Sequence, residues 1–176
     1  MQRVIITPLG PVTLTCENAL LSRLEFSPSG ELGRGVAANT TDASLARANN
    51  EIIQHASQQL HEYFCGRRTL FTLPLDTHGT EFQRLAWQKL QIIPYASTRS
   101  YQWQCQAMGR PKAARAVGSA NSHNPLPIII PCHRVIGANG SLNGYSGGLA
   151  IKQFLLSNER FFGDRAGSSS RAQYSA

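Results

Sequence analysis

With 176 residues, 41% of them hydrophobic and only 15% charged, the chain carries enough apolar side chain for a real core and too little charge for a disordered polyelectrolyte. Seventeen Lys and Arg against ten Asp and Glu leave a net charge of +7, which favours an anionic partner, and nucleic acid ahead of a membrane surface because no basic amphipathic helix is present. No stretch approaches the ~20 apolar residues of a membrane span, the start "MQRVIITPLG" does not read as a signal peptide, and Cys16, Cys65, Cys105 and Cys132 form neither a CxxC pair nor a zinc spacing, so the expectation is a soluble, cytoplasmic protein with reduced thiols.

The first quarter alternates in short β-rich pieces, "RVIIT", "VTLTC" and "LSRLEF", separated by "PLGP" and "CENA", which predicts a small antiparallel meander. "SPSGELGRGVAANT" reads as a loop. From Asp42 the apolar positions Leu45, Ala48, Ile52, Ala56, Leu60 and Tyr63 recur at spacings of three and four, and Gly66 stands where a left-handed cap ends a helix. "TLFTLPL" offers a further strand. These pieces predict an α+β domain over residues 1–76.

Residues 77–162 have a different texture, helical and repeatedly stopped by Pro or Gly. Thr80 and Gln83 have capping-box spacing ahead of Phe82, Leu85, Ala86, Leu90 and Ile93, and Pro94 follows. Ser100 is placed to cap a short helix, "YQWQCQAM", that stops at Gly109. Pro111 sits at the expected first position of the next helix, "KAARAVGSAN". Two short helices joined by "GRP" suggest a helix-turn-helix, whose second helix normally enters a DNA groove. The buried, strand-like "PIIIP", a glycine-rich loop and a last helix, "LAIKQFLLSNE", complete this part, and residues 163–176 are small, polar and expected to be disordered.

Cys132 and His133 stand side by side where the apolar run ends. A free thiol titrates near pH ~8.5 and only the thiolate is a strong nucleophile, so an imidazole held by a carboxylate is the usual way to activate it. Glu159, ending the last helix, is a candidate for that carboxylate. On this reading the Cys132 pKa falls below its ordinary value. A buried cysteine beside a helix-capping histidine accounts for the adjacency equally well, because free cysteine is among the most buried residue types.

A wider pattern bears on that choice. "YASTRSY", "GRPKAARAVGSANSHNPLPIII", "PCHRVIG" and "GYSGGLAIKQFLLSNE" occur in this order, and the segment from about residue 79 to 162 resembles the O6-alkylguanine-DNA alkyltransferase family. The resemblance implies an N-terminal sheet-plus-helix domain similar to the ribonuclease H fold, followed by a winged-helix-like helical DNA-binding domain with the reactive cysteine. It also implies the partner, double-stranded DNA containing alkylated bases, met by a monomer whose reaction needs no metal or organic cofactor; some family members bind zinc in the N-terminal domain, but no ligand set is legible in this sequence. The reaction implied is irreversible transfer of an alkyl group from O6 of guanine to Cys132, with O4-alkylthymine a second candidate substrate.

By the same resemblance His133 acts as base through a water, Glu159 orients His133, and Asn124 braces the loop that leads into the site. Tyr101 displaces a phosphate and donates a proton as guanine leaves, while Arg115 fills the space of the flipped base. Gln102, Ala113, Ala114 and Gly118 accompany Arg115 at the DNA, and Tyr145, Ser146, Val135 and Lys152 surround the alkylated guanine. An alkylated O6 lies on the pairing edge of the base, so in-line displacement requires the base to leave the stack.

The sequence departs from the family pattern at Gln102, Trp103 and Gln104, where a small residue, Glu and an apolar residue are usual. The capping box on Ser100 is therefore incomplete, and Gln104 stands at a core position. Three other readings fit parts of the chain: a module that binds alkylated bases without repairing them, a helix-turn-helix regulator, and a cysteine hydrolase. Cys132 speaks against the first, the lack of clustered cysteines against the second, and the basic helix pair against the third.

Overall fold

A computed structural model describes residues 1–27 and 42–171, with side chains described through residue 165. The loop expected over 27–40 lies, apart from its first residue, outside the described residues. The chain divides into two compact units, Met1–Thr80 with Pro125–Ile129, and Glu81–Asn124 with Ile130–Ala176.

In the first unit, β1 (Gln2–Thr7), β2 (Gly10–Glu17) and β3 (Leu20–Phe26) form the expected antiparallel meander in the order β1-β2-β3. The β2–β3 turn places Asn18 and Ala19 at φ of 51° and 59°, the left-handed pair that a tight hairpin demands. Asn49 offsets that strain by accepting the Ala19 N–H at 2.7 Å. Asn49 belongs to α1 (Ala43–Phe64), which begins on the Asp42 side chain and is followed by Gly66 at φ 69°.

The buried stripe of α1 runs through Asn49, Ile53, Ala56, Leu60 and Tyr63. Leu45, Ala48 and Ile52, expected on that stripe, are half-buried instead. The polar Asn49 enters because the hairpin turn needs its amide, and apolar periodicity does not register such a residue.

The strand expected at "TLFTLPL" shrinks to one bridge, Leu21 to Leu75. Pro74 has no N–H to donate, and the backbone of Thr72 is taken by the Gln59 side chain, which accepts its N–H at 2.9 Å. Pro125–Ile129 also belongs to this unit, and Pro125 accepts the Leu24 N–H at 2.8 Å. The expected strand "PIIIP" does not form, because Ile128 turns the chain with a φ of 76°, rare for a β-branched residue.

The second unit contains α2 (Glu81–Gln91), β4 (Arg99–Ser100), α3 (Tyr101–Ala107), α4 (Ala114–Ser122), β5 (Val135–Ile136) and α5 (Leu149–Arg171). β4 and β5 pair in parallel. Ala86, Cys105, Met108, Val117 and Ala120 form a core between α2, α3 and α4, with Phe82, Leu85, Tyr101 and Ala113 packed against it. Ser100 caps α3 by accepting the Trp103 N–H at 3.1 Å, even without a Glu partner. α4 begins at Ala114, so Pro111 lies in the preceding turn and not at a first helical position.

The tail expected to be disordered from 163 instead continues α5 through Arg171, while residues 172–176 lie outside the described residues. Two contacts extend the helix beyond its sequence motif. Arg165 lies over the Phe161 ring at 4.6 Å, and Gly163 passes so close to Ala96 that an added Cβ would stand 2.7 Å from the Ala96 Cβ.

Candidate active site

Cys132, His133 and Arg134 form a single 3-10 turn between Pro131 and β5. All three side chains are buried. The turn fans them in different directions, so neighbours in sequence acquire different partners. Asn124, just beyond α4, donates from Nδ2 to the Ile130 carbonyl at 2.7 Å and to Cys132 Sγ at 3.1 Å. One amide therefore braces the loop and touches the thiol.

His133 reaches the other way. Its Nε2 lies 2.8 Å from Glu159 Oε1, and its Nδ1 has no hydrogen-bond partner among the described residues. Glu159 is an acceptor and ionised, so Nε2 carries the proton and Nδ1 is left as the basic nitrogen. The ring meets Tyr145 edge-on, with centroids 6.5 Å apart.

Glu159 has further partners that the sequence reading did not include. Arg134 donates from Nε to both carboxylate oxygens and from Nη2 to Oε1 at 2.9 Å, and its Nη1 donates to the Ile93 carbonyl. The Ala96 N–H donates to Oε2 at 3.0 Å, from a turn held at φ 57°. A charged residue in the apolar stretch "IIIPCHRVI" was the legible signal for Arg134, since a buried guanidinium requires a carboxylate. Ala96 left no signal, because it contributes only a backbone N–H.

Burial alone would raise the Glu159 carboxyl, but the hydrogen bonds and charges of His133 and Arg134 outweigh it and pull the pKa down to about 2. Burial lowers the His133 pKa against the pull of Glu159, so the imidazole is neutral at pH 7 and Arg134 supplies the countercharge.

The expected depression of the Cys132 pKa is not found. Burial pushes the thiol up to about 11, and the opposing hydrogen bond from Asn124 and charge of Lys152 only moderate this. At rest the pair is therefore a neutral thiol and a neutral imidazole, and the proton moves only when the sulfur engages an electrophile.

Lys152 is fully buried, donating to the carbonyls of Val135 at 2.7 Å and Asn143 at 2.8 Å, with Nζ 6.0 Å from the Tyr101 ring centroid. It ties β5 to the glycine-rich loop. Val135 is buried and contributes this carbonyl, so its part is to hold the lysine.

A cavity of about 610 Å³, within the usual range for a small-molecule site, opens beside this centre. Tyr101, Ala114, Arg115, Gly118, Tyr145 and Ser146 line it, together with Ser122, Asn143 and Gly144, which the sequence reading did not single out. An ionised Cys132 would raise the pKa of both tyrosines, after the larger effect of their burial. The thiol is thus within electrostatic reach of the two phenols. Four expected residues stand apart from the cavity wall: Val135 and Lys152 are buried away from its lining, Ala113 packs against the helical core, and Gln102 is exposed, donating to the Pro111 carbonyl at 3.3 Å.

A family model described as "6-O-methylguanine DNA methyltransferase, ribonuclease-like domain" matches residues 2–77, and one described as "6-O-methylguanine DNA methyltransferase, DNA binding domain" matches residues 81–161. The chain is 44% identical over 160 residues to a methylated-DNA--protein-cysteine methyltransferase of Mycolicibacterium paratuberculosis, covering 90% of this chain and 91% of that one. It is also 44% identical over 155 residues to the constitutive protein of that name from Bacillus subtilis, covering 88% and 92%. Among solved structures it is similar to Mycobacterium tuberculosis OGT in complex with DNA, at 41% identity and a TM-score of 0.75 over 92% of this chain and 93% of that one.

Proposed function

Because the chain belongs to the 6-O-methylguanine DNA methyltransferase family, we propose that it is a DNA repair protein that transfers the alkyl group of O6-alkylguanine in double-stranded DNA irreversibly to its own Cys132. The observation that carries this reading is a pair of buried contacts on one 3-10 turn, Asn124 to Cys132 and His133 to Glu159, beside a cavity large enough for an extruded base.

The lesion enters the cavity between Tyr101 and Tyr145, with Ser146 and the loop held by Lys152 around the base. Arg115, exposed on the cavity rim, occupies the gap left in the duplex. Ala114 and Gly118 let α4 approach the groove closely, and Gln102 and Ala113 support that edge.

Sulfur attacks the alkyl carbon in line with the C–O6 bond. As the S–C bond forms and the C–O6 bond breaks, the thiol proton passes through a water to His133 Nδ1, and the departing guanine takes a proton from Tyr101. Glu159 stabilises the imidazolium that forms. Proton return from His133 to Tyr101 completes the balance, so the net products are the thioether and neutral guanine. A thioether has no ready leaving path, and each protein acts once.

The four cysteines are all free thiols, which suits a monomer working in the reducing cytoplasm. Among the described residues no helix is long and apolar enough to cross a membrane. Cys132→Ser tests the assignment: alkyl transfer is abolished while affinity for duplex DNA is retained. Loss of both together would make Cys132 a structural thiol and remove the reading.

A further inference from the structure

Gln104 is the residue that departs from the family pattern at a core position, and it is fully buried. It faces Asn121, on α4, and the two amides bond reciprocally: Gln104 Nε2 donates to Asn121 Oδ1 at 3.0 Å, and Asn121 Nδ2 donates to Gln104 Oε1 at 2.8 Å. The second Gln104 N–H reaches the Ala86 carbonyl on α2 at 3.1 Å. Close by, Trp87 Nε1 donates to the Ala120 carbonyl on α4 at 2.9 Å. Side-chain amides thus join all three helices of the second unit's core.

From this geometry we infer that Gln104 and Asn121 are positioning residues, a polar latch that sets the rotation of α4 so that its cavity face meets the extruded base. This rests on the proposed repair function.

The reason α4 needs a latch lies in its own sequence. It is nine residues long, has no side-chain N-cap, and buries only Val117, Ala120 and Asn121. A helix of that length is marginal by itself. Its apolar contacts come from Val and Ala, whose small, rounded surfaces tolerate rotation about the axis. Reciprocal amides do not. Each amide has its donor opposite the other's acceptor in one register alone, and a rotation leaves buried polar atoms unpaired. Buried polar pairs are known to select one register at no gain in stability.

The adjoining face of α4 is the one that works, Asn121 lying three residues from Gly118 and seven from Ala114. Ala114, Arg115, Gly118 and Ser122 line the cavity, while Asn121 points into the core. A small rotation would displace Arg115 from the stack and Gly118 from the cavity wall. Displacement of about 1 Å costs up to a hundredfold in rate where geometry governs the reaction. A substrate that needs no flipping is largely spared.

The test compares the wild type with Gln104→Leu, Asn121→Leu, the double leucine variant, and the exchanged pair Gln104→Asn/Asn121→Gln. Each is assayed for melting temperature, affinity for a duplex, repair of O6-methylguanine in a duplex, and alkyl transfer from free O6-benzylguanine. Each single leucine leaves one orphaned amide and lowers both the melting temperature and the duplex rate. The double leucine variant recovers melting temperature, yet its ratio of duplex to free-base rate stays about ten- to a hundredfold below wild type.

The exchanged pair keeps the summed reach of the two amides and recovers part of that ratio. Should the leucine variants not fold, Gln104→Asn alone opens the pair with little loss of packing, and its ratio falls as well. A wild-type ratio and duplex affinity in the double leucine variant, or in Gln104→Asn, would overturn the latch. Absence of transfer from the free base by the wild-type protein would overturn the repair function instead, and weakened duplex binding in the double variant would still support the latch.

Discussion

Arg134 holds the Glu159 carboxylate through three contacts of 2.9 to 3.2 Å, whereas His133, the residue that Glu159 orients, makes a single contact of 2.8 Å. The carboxylate is thus already neutralised before the imidazole acquires a proton. Burial, the larger cause, and this countercharge together keep His133 neutral, and so able to accept one.

Removing the guanidinium exposes this arrangement. Arg134→Met leaves Glu159 as an uncompensated buried charge, at a cost of about 3–5 kcal/mol in stability. In any folded fraction His133 becomes the countercharge, its pKa rises, and transfer from free O6-benzylguanine at neutral pH slows because the imidazole is already protonated. The pH–rate profile therefore moves to higher pH. The double variant Arg134→Met/Glu159→Gln removes both charges and recovers part of the melting temperature without restoring the rate.

The Cys132 thiol gives the protein a distinctive alkaline limb. Its folded pKa of about 11 lies above the unfolded value of about 8.5. The folded state therefore keeps its proton longer, and this contribution to stability is present below pH ~8.5 and lost as pH rises toward 11. Denaturant titrations of wild type and Cys132→Ser across this range measure it as the difference in slope, which separates it from the buried tyrosines. Alkylation of Cys132 by iodoacetamide should likewise climb with pH throughout the window. A plateau below pH ~8.5 would restore the depressed pKa expected from the Cys–His adjacency.

At the acid end Glu159 has the opposite sign. Its folded pKa of about 2 lies below the unfolded ~4.3, so its contribution is present above ~4.3 and is lost as pH falls toward 2. The Glu159→Gln protein should lack this limb in the same titrations.

Gly163 and Glu159 lie one helical turn apart on α5, and both press on Ala96. In Gly163→Ala the new methyl overlaps the Ala96 Cβ, which is fixed to the backbone and cannot rotate away. Overpacking costs about 1–3 kcal/mol and outweighs the ~1 kcal/mol that Ala gains over Gly in a helix. The melting temperature should fall. Gly163→Ala/Ala96→Gly should recover it, since glycine both removes the overlap and suits the φ of 57° at that turn.

These residues also show what the sequence made legible. The meander, α1 and the α3–α4 pair followed from alternation, three-and-four spacing and Gly stops, all local properties of the chain. Cys132, His133, Asn124 and Glu159 were named because a long ordered motif carries them, and all four lie in the second unit. Gln59 and Asn49 were illegible, because a polar side chain that satisfies distant backbone looks like a surface residue in a one-dimensional pattern. The Cys132 pKa was misjudged for a related reason: adjacency to His133 is visible in sequence, while the burial that outweighs it is a property of the fold.

Arg115→Ala separates flipping from chemistry. Exposed on the cavity rim, Arg115 should matter for repair of duplex O6-methylguanine far more than for transfer from O6-benzylguanine. Single-turnover rates on both substrates measure this, and equal losses would remove the flipping role. Duplex affinity should fall as salt rises, as expected of a chain with a net charge of +7 that meets the phosphate backbone.

Intact-protein mass after incubation with excess duplex containing O6-methylguanine tests stoichiometric self-alkylation most directly. The account predicts a gain of one methyl group per protein, located on Cys132 by peptide mapping, with repaired lesions equal in number to protein molecules and no further repair. Repair continuing well beyond the amount of protein, or a methyl group on Cys65 with Cys132 unmodified, would contradict it.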